Sequence, residues 1–137
     1  MSTRAQVQAQ INRINGEISS LNQQITTMRN TLADVEKARR ELIEIQSWVA
    51  EDNRALNQLD CENPQMWKGY NQSKCESDYS ECVSLGEDYA REFENLAEEL
   101  NETESRILLN IQSHQSTIAG LNSSVSQLQN MLSQIPS

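Results

Sequence analysis

A heptad repeat of aliphatic residues in the first half of the chain limits the fold more than any other feature. Every seventh residue is apolar, at Val7, Ile14, Leu21, Met28, Val35, Leu42, Val49 and Leu56. A second apolar line runs between the first of these, at Ile11, Ile18, Ile25 and Leu32. The alternating spacing of four and three residues predicts a long α-helix that packs along one seam, as in a coiled coil. Beyond Arg39 the second line moves one position earlier, to Ala38, Ile45 and Leu59, which predicts that the apolar stripe drifts around the helix.

The second half of the chain has a similar seam. Its apolar residues are Tyr79, Cys82, Tyr89, Phe93, Leu96, Leu100, Ile107, Ile111, Ile118, Leu121, Val125, Leu128, Leu132 and Ile135. Gly86, Thr103 and His114 occupy positions where the seam should be apolar. No segment alternates with the period of two that a strand requires, so the sequence predicts an all-α protein.

The polar composition favours an elongated antiparallel two-helix hairpin over a globular bundle. Hydrophobic residues make up 36% of the chain, against about 45–50% in an ordinary globular domain. We expect one unit over 1–137, with helix 1 at about 3–60, a turn at about 61–69 and helix 2 at about 70–135. Thr3 and Gln6 have the spacing of an N-terminal capping box. Pro136 should end the second helix.

Charge and hydropathy exclude several classes of function. The net charge of −9 argues against nucleic-acid binding, which needs a surface rich in Lys and Arg. No segment has 18 consecutive apolar residues, so no membrane span is expected. The N-terminal residues lack the apolar core of a signal peptide, and we therefore expect a cytoplasmic protein.

No combination of residues predicts catalysis or a cofactor. His114 is the only histidine, and a polar residue at one seam position more often sets helix register or partner choice. A zinc site would need three or four converging ligands. The carboxylates follow the periodicity of an exposed helix surface. The sequence thus predicts a protein that is not an enzyme and holds no cofactor.

A hairpin of this kind buries one stripe on each helix and should be marginal alone. Another chain would stabilise it by covering apolar residues outside the seam. Six such residues are candidates for a partner-binding face: Ile43, Trp48, Val83, Leu85, Ala97 and Leu109. The alternative is that they are scattered surface residues.

The expected turn contains the motif Trp67-Lys68-Gly69, near the midpoint of the chain. A Trp-x-Gly motif at the bend of a two-helix hairpin resembles the WXG superfamily, the small helical proteins of type VII secretion in Gram-positive bacteria. The long N-terminal helix and the Tyr- and Phe-bearing second helix are most similar to the YwqH-like branch, whose members are encoded beside LXG toxins. The resemblance covers the layout of the whole chain and three residues of motif.

The resemblance implies an adaptor or chaperone that binds the helical N-terminal segment of an LXG-type effector, together with a second small hairpin protein. The superfamily's Tyr-x-x-x-Asp/Glu secretion signal is absent, because Val83 follows Tyr79 and Phe93 follows Tyr89 at the fourth place. This departure suits a protein that is co-exported with its partner, without a cleaved signal peptide, or that only chaperones it. The alternative function is a self-associating structural coiled coil, such as a four-helix dimer of a phage or surface assembly.

The three cysteines also bear on the turn. Cys61 and Cys75 lie seven residues on either side of Lys68, so an antiparallel hairpin could bring them together. Cys82 lies two helical turns from Cys75, about 10 Å away, which exceeds the limit of about 7 Å between the Cα atoms of a disulfide. We expect free thiols in the cytosol and, on oxidation, a Cys61–Cys75 bridge that leaves Cys82 free.

Overall fold

The computed structural model describes residues 3–59 and 69–136 and contains two long helices. Helix α1 spans Arg4–Asn57 and α2 spans Tyr70–Gln134, and the described residues include no strand. Two side-chain contacts, from Gln24 to His114 and from Asn53 to Gly86, show that the helices pack antiparallel. The prediction of an all-α two-helix hairpin is confirmed. Helix α1 ends three residues before its predicted end, and α2 ends one residue before.

The start of α1 has the predicted capping box. The Thr3 backbone N–H donates to Gln6 Oε1 at 2.8 Å, and the Gln6 N–H donates to Thr3 Oγ1 at 3.2 Å. These reciprocal bonds satisfy two amide groups that have no carbonyl partner in the first turn of a helix. Local sequence therefore sets the start of α1. It also sets the end of α2, which stops at Gln134, two residues before Pro136.

Gly69 begins the described part of the second helix in a left-handed conformation, with φ of 58°. Its carbonyl accepts the first helical bond, from the Ser73 N–H at 3.1 Å. A residue with a Cβ is strained at this φ, which explains a glycine at the start of α2. Trp67, the other part of the predicted Trp-x-Gly motif, lies outside the described residues.

The helix pair divides into two units, which we call terminal and central. The terminal unit pairs Met1–Asp34 with Thr103–Ser137, and the central unit is Val35–Glu102. Five of the buried apolar side chains belong to the terminal unit: Val7, Ile11, Ile14, Ile25 and Ile111. On α1 of this unit aliphatic residues and Met28 fill both lines of the heptad repeat, so most of the buried side chains of the described residues lie here.

In the central unit the heptad positions persist, but polar side chains occupy one of the two lines. Arg39, Gln46 and Asn53 are half-buried at the positions that continue Ile25 and Leu32. The predicted drift toward Ala38, Ile45 and Leu59 is therefore only partial. Ala38 and Ile45 are half-buried as well, whereas Leu59 is exposed.

Helix α2 of the central unit is rotated relative to the predicted seam. Its inward residues are Val83, Gly86, Ala90, Phe93, Ala97 and Leu100, which are all half-buried. Cys82, Tyr89 and Leu96, which the sequence placed in the seam, are exposed. The small residues Ala90 and Ala97 led to this error, because inward positions are usually recognised by large apolar side chains. Gly86, which the sequence placed at a seam position, is inward as predicted.

At Gly86 a side chain of α1 lies directly against the backbone of α2. The Asn53 side-chain amide Nδ2 donates to the Gly86 carbonyl oxygen at 3.2 Å. A Cβ added to Gly86 would lie 2.2 Å from Asn53 Oδ1, well inside van der Waals contact. Glycine at position 86 therefore makes room for a polar contact between the helices.

We expect Gly86→Ala and Gly120→Ala to have opposite effects on the free energy of unfolding. Alanine is favoured over glycine inside a helix by about 1 kcal/mol, and nothing lies within 4 Å of a Cβ on Gly120. Gly120→Ala should therefore stabilise the protein. At Gly86 the new methyl group displaces the Asn53 amide, and the lost hydrogen bond and strained packing should outweigh that gain by about 1 kcal/mol or more. Urea unfolding followed by circular dichroism measures both, and equal stabilisation would contradict the contact.

Candidate protein-docking surface

Exposed apolar side chains are concentrated in the central unit. Ten large apolar side chains are exposed among residues 3–59 and 69–136, and seven of them belong to this unit: Ile43, Trp48, Leu59, Tyr70, Leu85, Tyr89 and Leu96. The terminal unit has Leu108, Leu109 and Met131. The central unit thus has fewer buried apolar side chains than the terminal unit and more exposed ones. This is the arrangement expected where a second chain packs.

Four of the exposed residues of α2 share one face of the helix, which we call the α2 stripe. It consists of Cys82, Leu85, Tyr89 and Leu96. The spacings of three, four and seven residues place all four on one face of the helix. This face adjoins the inward positions of α2, so a third helix lying along it would also approach α1.

The grooves of the central unit show which residues of α1 share the side of the α2 stripe. A groove of about 230 Å³ is lined by Ala50 of α1 and Glu94 of α2, which marks one side of the helix pair. Helical geometry places Ile45 and Trp48 on the opposite side of α1, and Tyr89 on the opposite side of α2. Trp48 is 60% exposed. Ile45 and Trp48 therefore border the same surface as the stripe.

A larger groove of about 380 Å³ continues the stripe toward the start of α2. It is lined by residues of both helices, namely Leu56, Leu59, Asn71, Lys74, Cys75, Asp78, Tyr79 and Cys82. Most of the side chains on its floor are apolar, and Cys82 belongs to both the groove and the stripe. The groove and the stripe together form one surface that could hold an apolar helix.

Charge is distributed as unevenly as the apolar residues. Seventeen of the twenty carboxylates but only seven of the eleven basic residues lie in the central unit, giving it a net charge of −10 against +1 for the terminal unit. Over residues 76–102, α2 carries ten carboxylates and one basic residue, Arg91. Arg91 pairs with Asp88 one turn away. The apolar surface is therefore bordered by a strong excess of negative charge.

The structure separates the six predicted partner-binding residues into two groups. Ile43, Trp48, Leu85 and Leu109 are exposed, and their role in binding stays a prediction. Val83 and Ala97 are half-buried inward residues of α2, so placing them on an outer face was an error. Tyr89 and Leu96 were missed because both had been assigned to the seam. Because Val83 and Gly86 face α1, Tyr89 and Leu96 lie on an exposed face of α2.

His114 contacts the facing helix in the terminal unit. Its Nε2 lies 2.9 Å from Gln24 Oε1, within hydrogen-bonding distance, and the ring is half-buried at a heptad position of α2. A polar pair at one seam position disfavours alignments that would bury it against aliphatic residues. The predicted role of His114 in register is compatible with this contact and stays a prediction.

Cys75 is disulfide-bonded, and Cys82 has a free, exposed thiol. Cys75 is also one of the buried side chains of the central unit. Cys61, its predicted partner, lies outside the described residues, so the pairing of these two cysteines stays a prediction.

Comparison with known proteins gives no family assignment. No family model matches the chain, and neither the curated proteins nor the solved structures include a match. The WXG resemblance thus depends on the motif and the helical layout alone. Within the described residues, neither helix has a stretch apolar enough to cross a lipid bilayer.

Proposed function

We propose that the protein is a non-enzymatic adaptor that binds a helical segment of another protein through the central unit. The observation that supports this most directly is the line of exposed apolar residues on α2, bordered by Ile45 and Trp48 of α1. A third helix packed there would remove this surface from water, at about 25 cal/mol for each Å² of apolar area. The terminal unit, with its buried aliphatic seam, would hold the two helices together during binding.

The partner we propose is the helical N-terminal segment of a type VII effector of the LXG class, alone or with a second small hairpin protein. The support is the two-helix layout together with Trp67-Lys68-Gly69 between the helices. Helix-in-groove recognition is a general way for a helical protein to bind an amphipathic segment. The adaptor would protect the apolar face of the effector in the cytoplasm and accompany it to, or through, the secretion machinery.

We expect the double substitution Tyr89→Gln and Leu96→Gln to weaken effector binding by at least about tenfold, because it removes two apolar anchors from the surface. Both side chains are about half exposed, at 55% and 43%, so the helices should still form. The measurement is isothermal titration with the N-terminal segment of an LXG effector encoded beside the protein. Circular dichroism checks that the variant remains folded.

The matched control is Leu108→Gln with Met131→Gln, two α2 residues of the terminal unit that are 42% and 46% exposed and are not among the candidate partner-binding residues. Its affinity should equal that of the unaltered protein. Equal affinities for all three proteins would rule out the α2 stripe as the binding surface. A stable dimer of the unaltered protein that dissociates on the stripe substitutions would instead support the self-associating coiled coil.

A further inference from the structure

We infer that the helix docking on the α2 stripe is basic as well as apolar: an amphipathic segment with Lys or Arg beside its apolar line. This inference rests on the proposed function and specifies the chemistry of the partner. It follows from the carboxylates that border the stripe, whose charge the proposed function does not explain.

The charges lie where a docked helix would place its own flanking residues. Glu81 lies four residues before Leu85, and Glu92 lies three residues after Tyr89 and four before Leu96, so both carboxylates adjoin the stripe, on the same side of it. Both side chains are exposed. Residues three and four apart on a helix are neighbours on its surface. An acidic partner helix would meet these like charges, whereas a basic one would form charge pairs with them at the rim of the interface.

The same charges disfavour a second copy of this chain as the occupant. A two-fold symmetric dimer places the same surface of each copy against the other. It would bring together two central units that each have a net charge of −10. Like charges facing each other across an interface are destabilising. A basic helix would relieve this repulsion.

Two synthetic three-heptad peptides can test the charge preference. Both have the same apolar positions, and the flanking positions are all Lys in one peptide and all Glu in the other. We expect the Lys peptide to bind at least about tenfold more tightly at about 0.15 M salt, where exposed charges interact over about 8 Å. The difference should shrink at about 1 M salt, where the screening length falls to about 3 Å. Equal binding of the two peptides, or no binding of the Lys peptide, would overturn the inference.

Paired charge substitutions on α2 locate the effect. Glu81→Gln with Glu92→Gln should lower the affinity for the Lys peptide several-fold at about 0.15 M salt. The control is Glu87→Gln with Glu94→Gln, which changes the charge by the same amount. Glu94 lines the groove of about 230 Å³ on the opposite side of the helix pair, and Glu87 lines a smaller groove beside Asn53 and Asn57 on that side. The control should bind nearly as well as the unaltered protein. Equal losses in the two variants would show that binding follows total charge and not the stripe, and would also overturn the inference.

The failure of this inference differs from the failure of the proposed function. If the effector segment binds through Tyr89 and Leu96 but the two peptides bind equally, the adaptor function holds and the basic partner is wrong. If Tyr89→Gln with Leu96→Gln changes neither effector binding nor Lys-peptide binding at about 1 M salt, where charge attraction is screened, the docking surface itself is wrong.

Discussion

Ile111→Ala is expected to lower the free energy of unfolding by about 2–5 kcal/mol, the usual cost of truncating a buried isoleucine. Ile111 is 6% exposed and belongs to the terminal unit, where most of the buried aliphatic side chains are found. A two-helix hairpin has few buried side chains to compensate, so this loss is large compared with the total stability of a small protein. Urea unfolding monitored by circular dichroism would measure the loss of stability. Repeating it at several protein concentrations would show whether association contributes to that stability.

Leu109→Ala is the matched control for Ile111→Ala. Leu109 lies two residues earlier on α2 and is 65% exposed. Its truncation should change stability by no more than about 0.5 kcal/mol, as is usual for surface positions. If the two substitutions had similar effects, the inward face of α2 in the terminal unit would have to be reassigned.

Loss of the disulfide at Cys75 is the second large effect we expect. If Cys75 pairs with Cys61, the bridge closes a loop of 15 residues, and reduction should cost about 3 kcal/mol because it releases the unfolded chain from that constraint. Unfolding with and without a phosphine reductant measures the difference. Oxidised protein would be studied after formation of the bridge in air, because the cytosol keeps thiols reduced.

Cys82→Ser separates this effect from other consequences of thiol chemistry. Cys82 is exposed and free, so the variant should keep both the oxidised stability and its sensitivity to the reductant. Non-reducing peptide mapping should recover one linked pair that contains Cys61 and Cys75. Recovery of a link to Cys82 would show that the pairing, and the placement of the turn midway between Cys61 and Cys75, are wrong.

The sequence predicted the fold well in the terminal unit, where apolar residues fill both heptad lines of α1. In the terminal unit, Ile11, Ile14, Ile25 and Ile111 are all buried as the repeat requires. Large apolar side chains at a spacing of three and four leave a single face for packing, so pattern and structure agree. The capping box at Thr3 is equally local, and it too was predicted correctly.

The pattern failed in the central unit because helix packing there uses residues that a hydrophobic count overlooks. Asn53 and Gly86 are inward, and their contact depends on a hydrogen bond and on the absence of a Cβ. Val83 was consequently assigned to the outer face, and Tyr89 to the seam. Two members of the candidate surface, Tyr89 and Leu96, could be identified only once the orientation of α2 was known.

The contact between Asn53 and Gly86 also bears on how the hairpin reaches its native alignment. Repeated aliphatic heptads pack almost equally well when one helix slips by seven residues, so slipped hairpins are natural kinetic traps for such a chain. A slip of one heptad would place Phe93 or Tyr79 opposite Asn53 in place of Gly86. An aromatic side chain leaves no room for the Asn53 amide to reach the backbone carbonyl beneath it, so the slipped forms lose both packing and a hydrogen bond. The contact at Gly86 thus favours the native alignment over hairpins that have slipped by one heptad.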